Sequence, residues 1–175
     1  MALDVDPRTV RGRWVRHGPG RGPAWPDRDP PPDSRWQRGE VVDALYLADS
    51  EPTAWAEWYR HLAELGVPPD EQMPRRLWQW EVEVRVADLS TLPRLTRVGL
   101  AIPHPGRAGW PAYQAVGEQL WSEGWVGLIA PSAARRRGKT LCLFREAGAG
   151  VTGVRPVGRG RLFKRPPAPP TGMTT

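Results

Sequence analysis

The sequence predicts an α+β domain built on a mixed, largely antiparallel sheet with a few helices. Three stretches predict it. Residues 77–89 (LWQWEVEVRVADL) alternate, with Trp78, Trp80, Val82, Val84 and Val86 facing one way and Gln79, Glu81, Glu83 and Arg85 the other. That is the pattern of an antiparallel strand with one wet face. Residues 41–66 pass from a strand-length apolar run, Ala44 to Ala48, straight into a helix-period stripe of Trp55, Trp58, Leu62 and Leu65. Residues 125–130 and 139–145 are two further runs of strand length joined by PSAARRRG.

Taken in order, residues 1–11 are polar and aperiodic and are expected to be a flexible terminus. Residues 13–17 (RWVRH) alternate and predict a short strand. Residues 18–34 are too rich in Gly and Pro for a helix or a central strand. A loop of that length inside a small domain is a candidate functional or mobile segment. Arg35-Trp36 and the turn Gln37-Arg38-Gly39 lead into a strand over 41–48. Asp49-Ser50 supplies an N-cap pair, Pro52 fits the first turn where its missing N–H costs nothing, and Gly66 before Pro68 is a stop signal. The helix between them is predicted over 51–65.

Residues 68–76 read as a linker, 92–109 as irregular, and 111–121 as a second helix with Tyr113, Val116, Leu120 and Trp121 as its apolar positions. Two basic segments, 151–157 and 160–164, precede a proline-rich tail over 166–175 that is expected to be disordered or extended. The expected organisation is a single catalytic domain over 12–165 between two loose ends. A chain of 175 residues can bury a core without disulfides or metals.

Composition narrows the function classes. The single cysteine, Cys142, lies within the apolar run Leu141 to Phe144, where it reads as a small buried hydrophobe. No apolar run approaches membrane-spanning length, and the first ten residues, MALDVDPRTV, lack the pattern of a signal peptide. A cytoplasmic protein without membrane contact is expected. Lys and Arg number 25 against 19 Asp and Glu, a net charge of +6, which favours a polyanionic partner such as nucleic acid, a phosphorylated small molecule or an acidic protein. Nearly all the basic residues are arginine, whose planar fork suits phosphate and carboxylate. No metal-ligand spacing is present, so no metal site is expected.

The candidate chemical residues are Arg16, Arg35, Tyr46, Glu57 and Ser132, with Arg35, Tyr46 and Glu57 at equal intervals of eleven. Glu57 sits off the centre of the helical stripe, flanked by Trp55, Ala56, Trp58 and Tyr59, and a carboxylate in aromatic surroundings needs a reason. The alternative is an ordinary boundary residue pairing with Arg60 or His61 on its own helix. Arg135-Arg136-Arg137 with Lys139 reads as a solvated loop, or with residues 18–34 as a phosphate-attracting rim shared by substrate and partner.

The pattern Arg35-Trp36, Leu45-Tyr46-Leu47-Ala48-Asp49-Ser50, Ala54-Trp55-Ala56-Glu57 and Pro131-Ser132 resembles the RES domain family, over roughly residues 14–144. Its members are NAD+-degrading toxins of bacterial toxin–antitoxin pairs. The chain departs from the usual pattern in having Asp33-Ser34 in place of two glycines and Gln37 in place of an asparagine. The resemblance implies a fold like that of ADP-ribosyltransferases. It implies Glu57, Arg16 and Ser132 as catalytic residues and Arg35, Tyr46 and Trp36 as the NAD+-binding set, with Arg13 competing with Arg16 for the first arginine. NAD+ is then the substrate and no prosthetic group is implied. An Xre-like antitoxin is the implied partner, nucleic acid is met only through it, and a homo-oligomer stays open.

The chemistry suits such a set. Breaking the nicotinamide–ribose bond develops positive charge on the ribose, as in glycoside hydrolysis. A fixed carboxylate at Glu57 stabilises that charge, arginines clamp the pyrophosphate, Tyr46 stacks on nicotinamide and Ser132 orients a polar group. The acceptor, whether water, phosphate or protein, is left open. Two other readings compete: a basic nucleic-acid-binding module using tryptophans for base stacking, and a catalytically degenerate member that keeps the fold and binds a partner.

Overall fold

The computed structural model describes residues 1–146 and 148–174. In chain order the elements are β1 (Asp6–Pro19), β2 (Asp43–Ala48), α1 (Glu51–Leu65), a 3₁₀ turn (Pro69–Gln72), β3 (Arg75–Asp88), α2 (Leu92–Arg97), α3 (Trp110–Ser122), β4 (Gly127–Pro131), β5 (Lys139–Arg145) and β6 (Val154–Phe163). The sheet is mixed and largely antiparallel, as expected. β1 pairs with β3 along its whole length, from Asp6 opposite Asp88 to Pro19 opposite Arg75. β2 pairs with β5 and β5 with β4, both antiparallel. β4 meets β3 in parallel at Ala87 and Asp88. Val15 of β1 lies opposite Ala48 of β2, so these five strands close into a ring, and β6 adds to the other edge of β3.

The ring has an apolar interior. Val10 and Trp14 of β1, Leu45 and Leu47 of β2, Trp80, Val82, Val84 and Val86 of β3, Ile129 of β4, and Leu141 and Leu143 of β5 form one buried cluster. The opposite faces of β2, β4 and β5 are also covered. Leu128, Ala130, Cys142 and Phe144 pack with Leu95 of α2 and with Tyr113, Val116 and Leu120 of α3. Strands buried on both faces read as continuous apolar runs, while β3 keeps one wet face along most of its length and alternates. Burial pushes the Cys142 thiol up to about 12, so it behaves as a hydrophobe.

Helix α1 has the predicted bounds. Ser50 is extended and its side chain accepts from the Thr53 N–H, Pro52 stands in the first turn, and Gly66 takes the left-handed conformation at φ 66°. Trp55, Trp58 and Leu62 pack onto Ala48 and Leu77.

Three expectations are corrected, and the tail takes the extended one of its two expected forms. The segment 1–11 is tied down: β1 starts at Asp6, not at residue 13, and the Leu3 N–H donates to Glu123 at 2.9 Å. Residues 92–109 contain helix α2. The segments 151–157 and 160–164 lie within or beside one strand, β6, in which Gly158 and Gly160 adopt positive φ and interrupt the alternation. The proline-rich tail is extended and docked: Thr174 N–H donates to Ala134 O at 2.9 Å and Arg136 N–H to Gly172 O at 2.8 Å. Residue 175 lies outside the described residues. None of the helices among the described residues is long and apolar enough to cross a membrane.

Helix α3 grips the segment that carries Arg35. Gln114 Nε2 donates to Ser34 O at 2.9 Å. Glu118 accepts from Arg38 Nε and Nη2, both at 2.7 Å. Between them Gly117 lies so close that a Cβ built there would sit 1.8 Å from Trp36 O. In an open helix, alanine for glycine stabilises by roughly 1 kcal/mol. Here the methyl has nowhere to go, so Gly117→Ala is expected to destabilise by about 1–3 kcal/mol in urea unfolding. A variant at least as stable as the parent would contradict this packing.

Candidate active site

A cleft of about 470 Å³ opens beside α1 and one end of the strand ring, lined by residues that include Arg16, Arg35, Tyr46 and Glu57. Five of the six nominated residues, Arg16, Arg35, Trp36, Tyr46 and Glu57, line it, and Ser132 adjoins it through Glu57.

Glu57 faces away from the Trp55 and Trp58 packing. Its Oε1 accepts from Ser132 Oγ at 2.6 Å and its Oε2 from Arg60 Nη2 at 3.1 Å. Ser132 follows β4 and is 6% exposed. Its Oγ also accepts from the backbone N–H groups of Ala134 and Arg135, each at 3.1 Å. With both lone pairs engaged, the hydroxyl hydrogen is directed at Glu57. Arg60 continues the chain of contacts to Glu64, whose carboxylate accepts from Gly106 N–H at 2.6 Å. The same-helix pairing of Glu57 with Arg60 is therefore real, and it coexists with the Ser132 bond.

Tyr46 donates to Gln37 Oε1 at 2.5 Å and accepts from the Trp36 N–H at 3.2 Å. Burial pushes its phenol well above the ordinary value. Gln37 is 1% exposed, and its amide nitrogen donates to Pro32 O at 3.1 Å. The glutamine at this position is thus built into the wall, tying the long loop to β2. Arg35 is 8% exposed. Its Nη2 donates to His104 O at 2.7 Å and its guanidinium lies 5.3 Å from the Tyr113 ring centre. Desolvation lowers its pKa, opposed by the nearby carboxylates Glu57 and Glu64.

Trp36 lines the cleft but offers it almost no surface. It is 1% exposed and packs edge-to-face on Tyr113, with centroids 5.1 Å apart. Its part in the site is to fix the backbone beside Arg35.

Arg16 shares the inward face of Val10 and Trp14 at the ring's mouth. Arg13, by contrast, is exposed and bonds Gln79 at 3.4 Å. Burial and the charges of Arg28 and Arg75 pull Arg16 down to about 10. The carboxylate acting on it is Asp43, which is already held by Arg145 at 2.6 Å. Arg145 also bonds Asp27 and stacks on Trp25, 3.6 Å from its ring centre. That clamp fixes the loop 18–34 against the ring, with Arg28 among the residues facing the cleft.

Sequence reasoning missed Arg75, gave Arg60 only as a pairing partner of Glu57, and held Arg28 only as part of the loop 18–34. Arg60 had a signal, its i,i+3 relation to Glu57, whereas Arg75 lay in what read as a linker. Of the expected basic rim, the loop 18–34 contributes Arg28 to the cleft lining, while Arg135 has another role. Arg135 reaches Thr171 O at 3.3 Å and Thr53 at 3.4 Å and pairs with Met173, so it anchors the tail. The cations at the cleft include Arg16, Arg28, Arg35, Arg60 and Arg75. Among the described residues no group of three or more His, Cys, Asp and Glu side chains is placed to hold a metal ion.

The probable NAD(+) phosphorylase Rv3189 of Mycobacterium tuberculosis is 28% identical over 141 residues, 80% of this chain and 68% of that protein. One chain of the crystal structure of the M. tuberculosis MbcT–MbcA toxin–antitoxin complex has the same fold. Its TM-score is 0.75 at 21% identity, over 89% of this chain and 87% of that one. The RES domain matches residues 7–165, nearly the whole length, and the chain therefore belongs to the RES domain family.

Proposed function

We propose that this chain is an enzyme that cleaves NAD+ at the nicotinamide–ribose bond, with phosphate or water as acceptor, and that it acts as a toxin. The observation that carries the reading is the Glu57 carboxylate, held by Ser132 at 2.6 Å and Arg60 at 3.1 Å on the wall of an arginine-lined cleft. The cleft's size, about 470 Å³, falls within the usual range of small-molecule sites, roughly 300–1,000 Å³. The kinship with a probable NAD(+) phosphorylase supports the substrate.

In this reading the arginines bind the diphosphate and orient the nicotinamide riboside toward Glu57. As nicotinamide leaves, positive charge grows on the ribose, and the carboxylate is already in place to stabilise it without reorganisation. Ser132 and Arg60 keep it from swinging away. Tyr46 and Gln37 hold the segment that bears Arg35. An ADP-ribosyltransferase-like fold, a catalytic unit over residues 12–165, a cytoplasmic setting and neutralisation by an Xre-like antitoxin protein belong to the same proposal. The structural likeness to a chain of a toxin–antitoxin complex fits a protein partner. The nucleic-acid reading loses its stacking platforms: Trp14, Trp36, Trp55, Trp58 and Trp80 are buried and the other five tryptophans are half-buried.

Two variants test the assignment. Glu57→Gln keeps the size and removes the charge, and NAD+ turnover is expected to fall about a hundredfold or more while the thermal midpoint stays near that of the parent. Near-normal turnover in a folded Glu57→Gln protein would contradict the role given to the carboxylate. Arg35→Lys retains charge but not the planar fork that bonds His104 O and faces the cleft. Its kcat/KM for NAD+ is expected to drop by about tenfold or more, and unchanged kinetics would remove Arg35 from the binding set.

A further inference from the structure

We propose that Arg75, together with Arg16 and Arg28, forms a receptor for a phosphoryl oxyanion, separate from the arginine–carboxylate group around Glu57. The proposal rests on the reading of the cleft as an NAD+-cleaving site. It assigns a binding role to Arg28 and Arg75, which lie outside the RES arginine–glutamate–serine set, beside Arg16, which the resemblance places within it.

Apart from Arg107, which lies over the Trp110 ring, the arginines lining the cleft fall into two groups with different surroundings. Arg35 and Arg60 stand among Glu57 and Glu64, two guanidinium groups against two carboxylates. Arg16, Arg28 and Arg75 act on one another, and the carboxylate in their field, Asp43, is taken by Arg145. Arg16 and Arg75 are half-buried and Arg28 is exposed, and like charges that are partly desolvated repel, which a counter-anion relieves. An anion that brings its own oxygens resolves the imbalance.

Arg75 is held ready for that anion. It opens β3 opposite Pro19, the last residue of β1. Its Nη2 donates to His17 Nδ1 at 2.8 Å, and its guanidinium lies 6.0 Å from the Trp58 ring centre. His17 is in turn stacked on Trp55, with centroids 5.6 Å apart and planes 13° apart. Burial and the neighbouring arginines hold His17 well below its usual pKa, so it accepts as a neutral imidazole and orients Arg75 without adding charge. Meanwhile Arg75 Nε is buried with no hydrogen-bond partner among the described residues. A buried N–H left without an acceptor costs about 1–3 kcal/mol. Nε and an adjacent Nη form the edge that binds two phosphate oxygens at once. A point-charge lysine could not supply that edge.

The oxyanion has two sources, inorganic phosphate as acceptor or the diphosphate of the dinucleotide. Calorimetry on the full chain, at fixed ionic strength, would measure binding of inorganic phosphate and of ADP-ribose separately, for the wild type and for Arg75→Gln. We expect Arg75→Gln to weaken one of the two by about tenfold or more. Loss of phosphate affinity alone identifies the acceptor site, and loss of ADP-ribose affinity alone identifies the diphosphate site. Loss of both supports a receptor that serves the two in turn. Unchanged affinities in a folded variant would overturn the proposal, as would a wild type that binds neither ligand. Should Arg75→Gln fail to fold, Arg75→Lys is read by the same criteria. A wild type that binds either ligand through Arg75 but leaves NAD+ intact would keep the receptor and sink the enzymatic reading.

Discussion

The hydrogen bond from Ser132 to Glu57 joins residues 75 positions apart, and much of the architecture serves to hold its two ends in place. One end is a helix with both termini fixed by its own sequence, Ser50 at the start and Gly66 at the finish. The other is a loop closed by Ser132 N–H donating to Gly138 O at 2.8 Å. These parts meet directly: a Cβ on Gly138 would lie 2.8 Å from Thr53 Oγ1 in the first turn of α1. Behind the loop, Thr174 Oγ1 donates to Ala133 O at 2.5 Å and the tail's Met173 pairs with Arg135. A carboxylate on one helix and a hydroxyl after one strand become a single unit because the intervening backbone is pinned on several sides.

Charge placement follows a similar economy of means. On the outer surface, arginines pair with carboxylates, Arg11 with Glu83 and Arg161 with Glu51 among them, and such exposed pairs contribute little to stability. At the cleft the balance differs. The carboxylates Glu57 and Glu64 are matched by Arg35 and Arg60, while Arg16 and Arg75 are half-buried beside other cations. The net charge of +6 says little by itself. What distinguishes the cleft is that half-buried cations stand there with their nearby carboxylate, Asp43, already held by Arg145.

How much of this was legible depended on how local each signal was. Helix α1 and strand β5 were readable to the residue because caps, proline, glycine and short apolar runs act within a few positions. The first half of strand β1 was not: Arg8 and Arg11 look like surface coil until β3 pairs with them, and that partner lies some seventy residues away. Helix α2 has six residues and no side-chain cap, so it leaves no periodic trace. The tail docks largely through backbone groups, which composition does not reveal. In the site, Arg35, Tyr46, Glu57 and Ser132 came from a family resemblance. Nothing in their spacing showed that Tyr46 would bond Gln37 or that Trp36 would turn into the core. Arg75 carried no signal at all, because its meaning comes from His17 across the sheet.

The account stands on the claim that the cleft destroys NAD+ at the nicotinamide–ribose bond. The direct measurement is to incubate the purified chain with NAD+, with and without inorganic phosphate, and to identify the products by mass spectrometry. The account predicts free nicotinamide together with ADP-ribose carrying phosphate or hydroxyl at the cleaved carbon, according to the acceptor present. NAD+ recovered intact after prolonged incubation with stoichiometric folded protein, in both conditions, would contradict it.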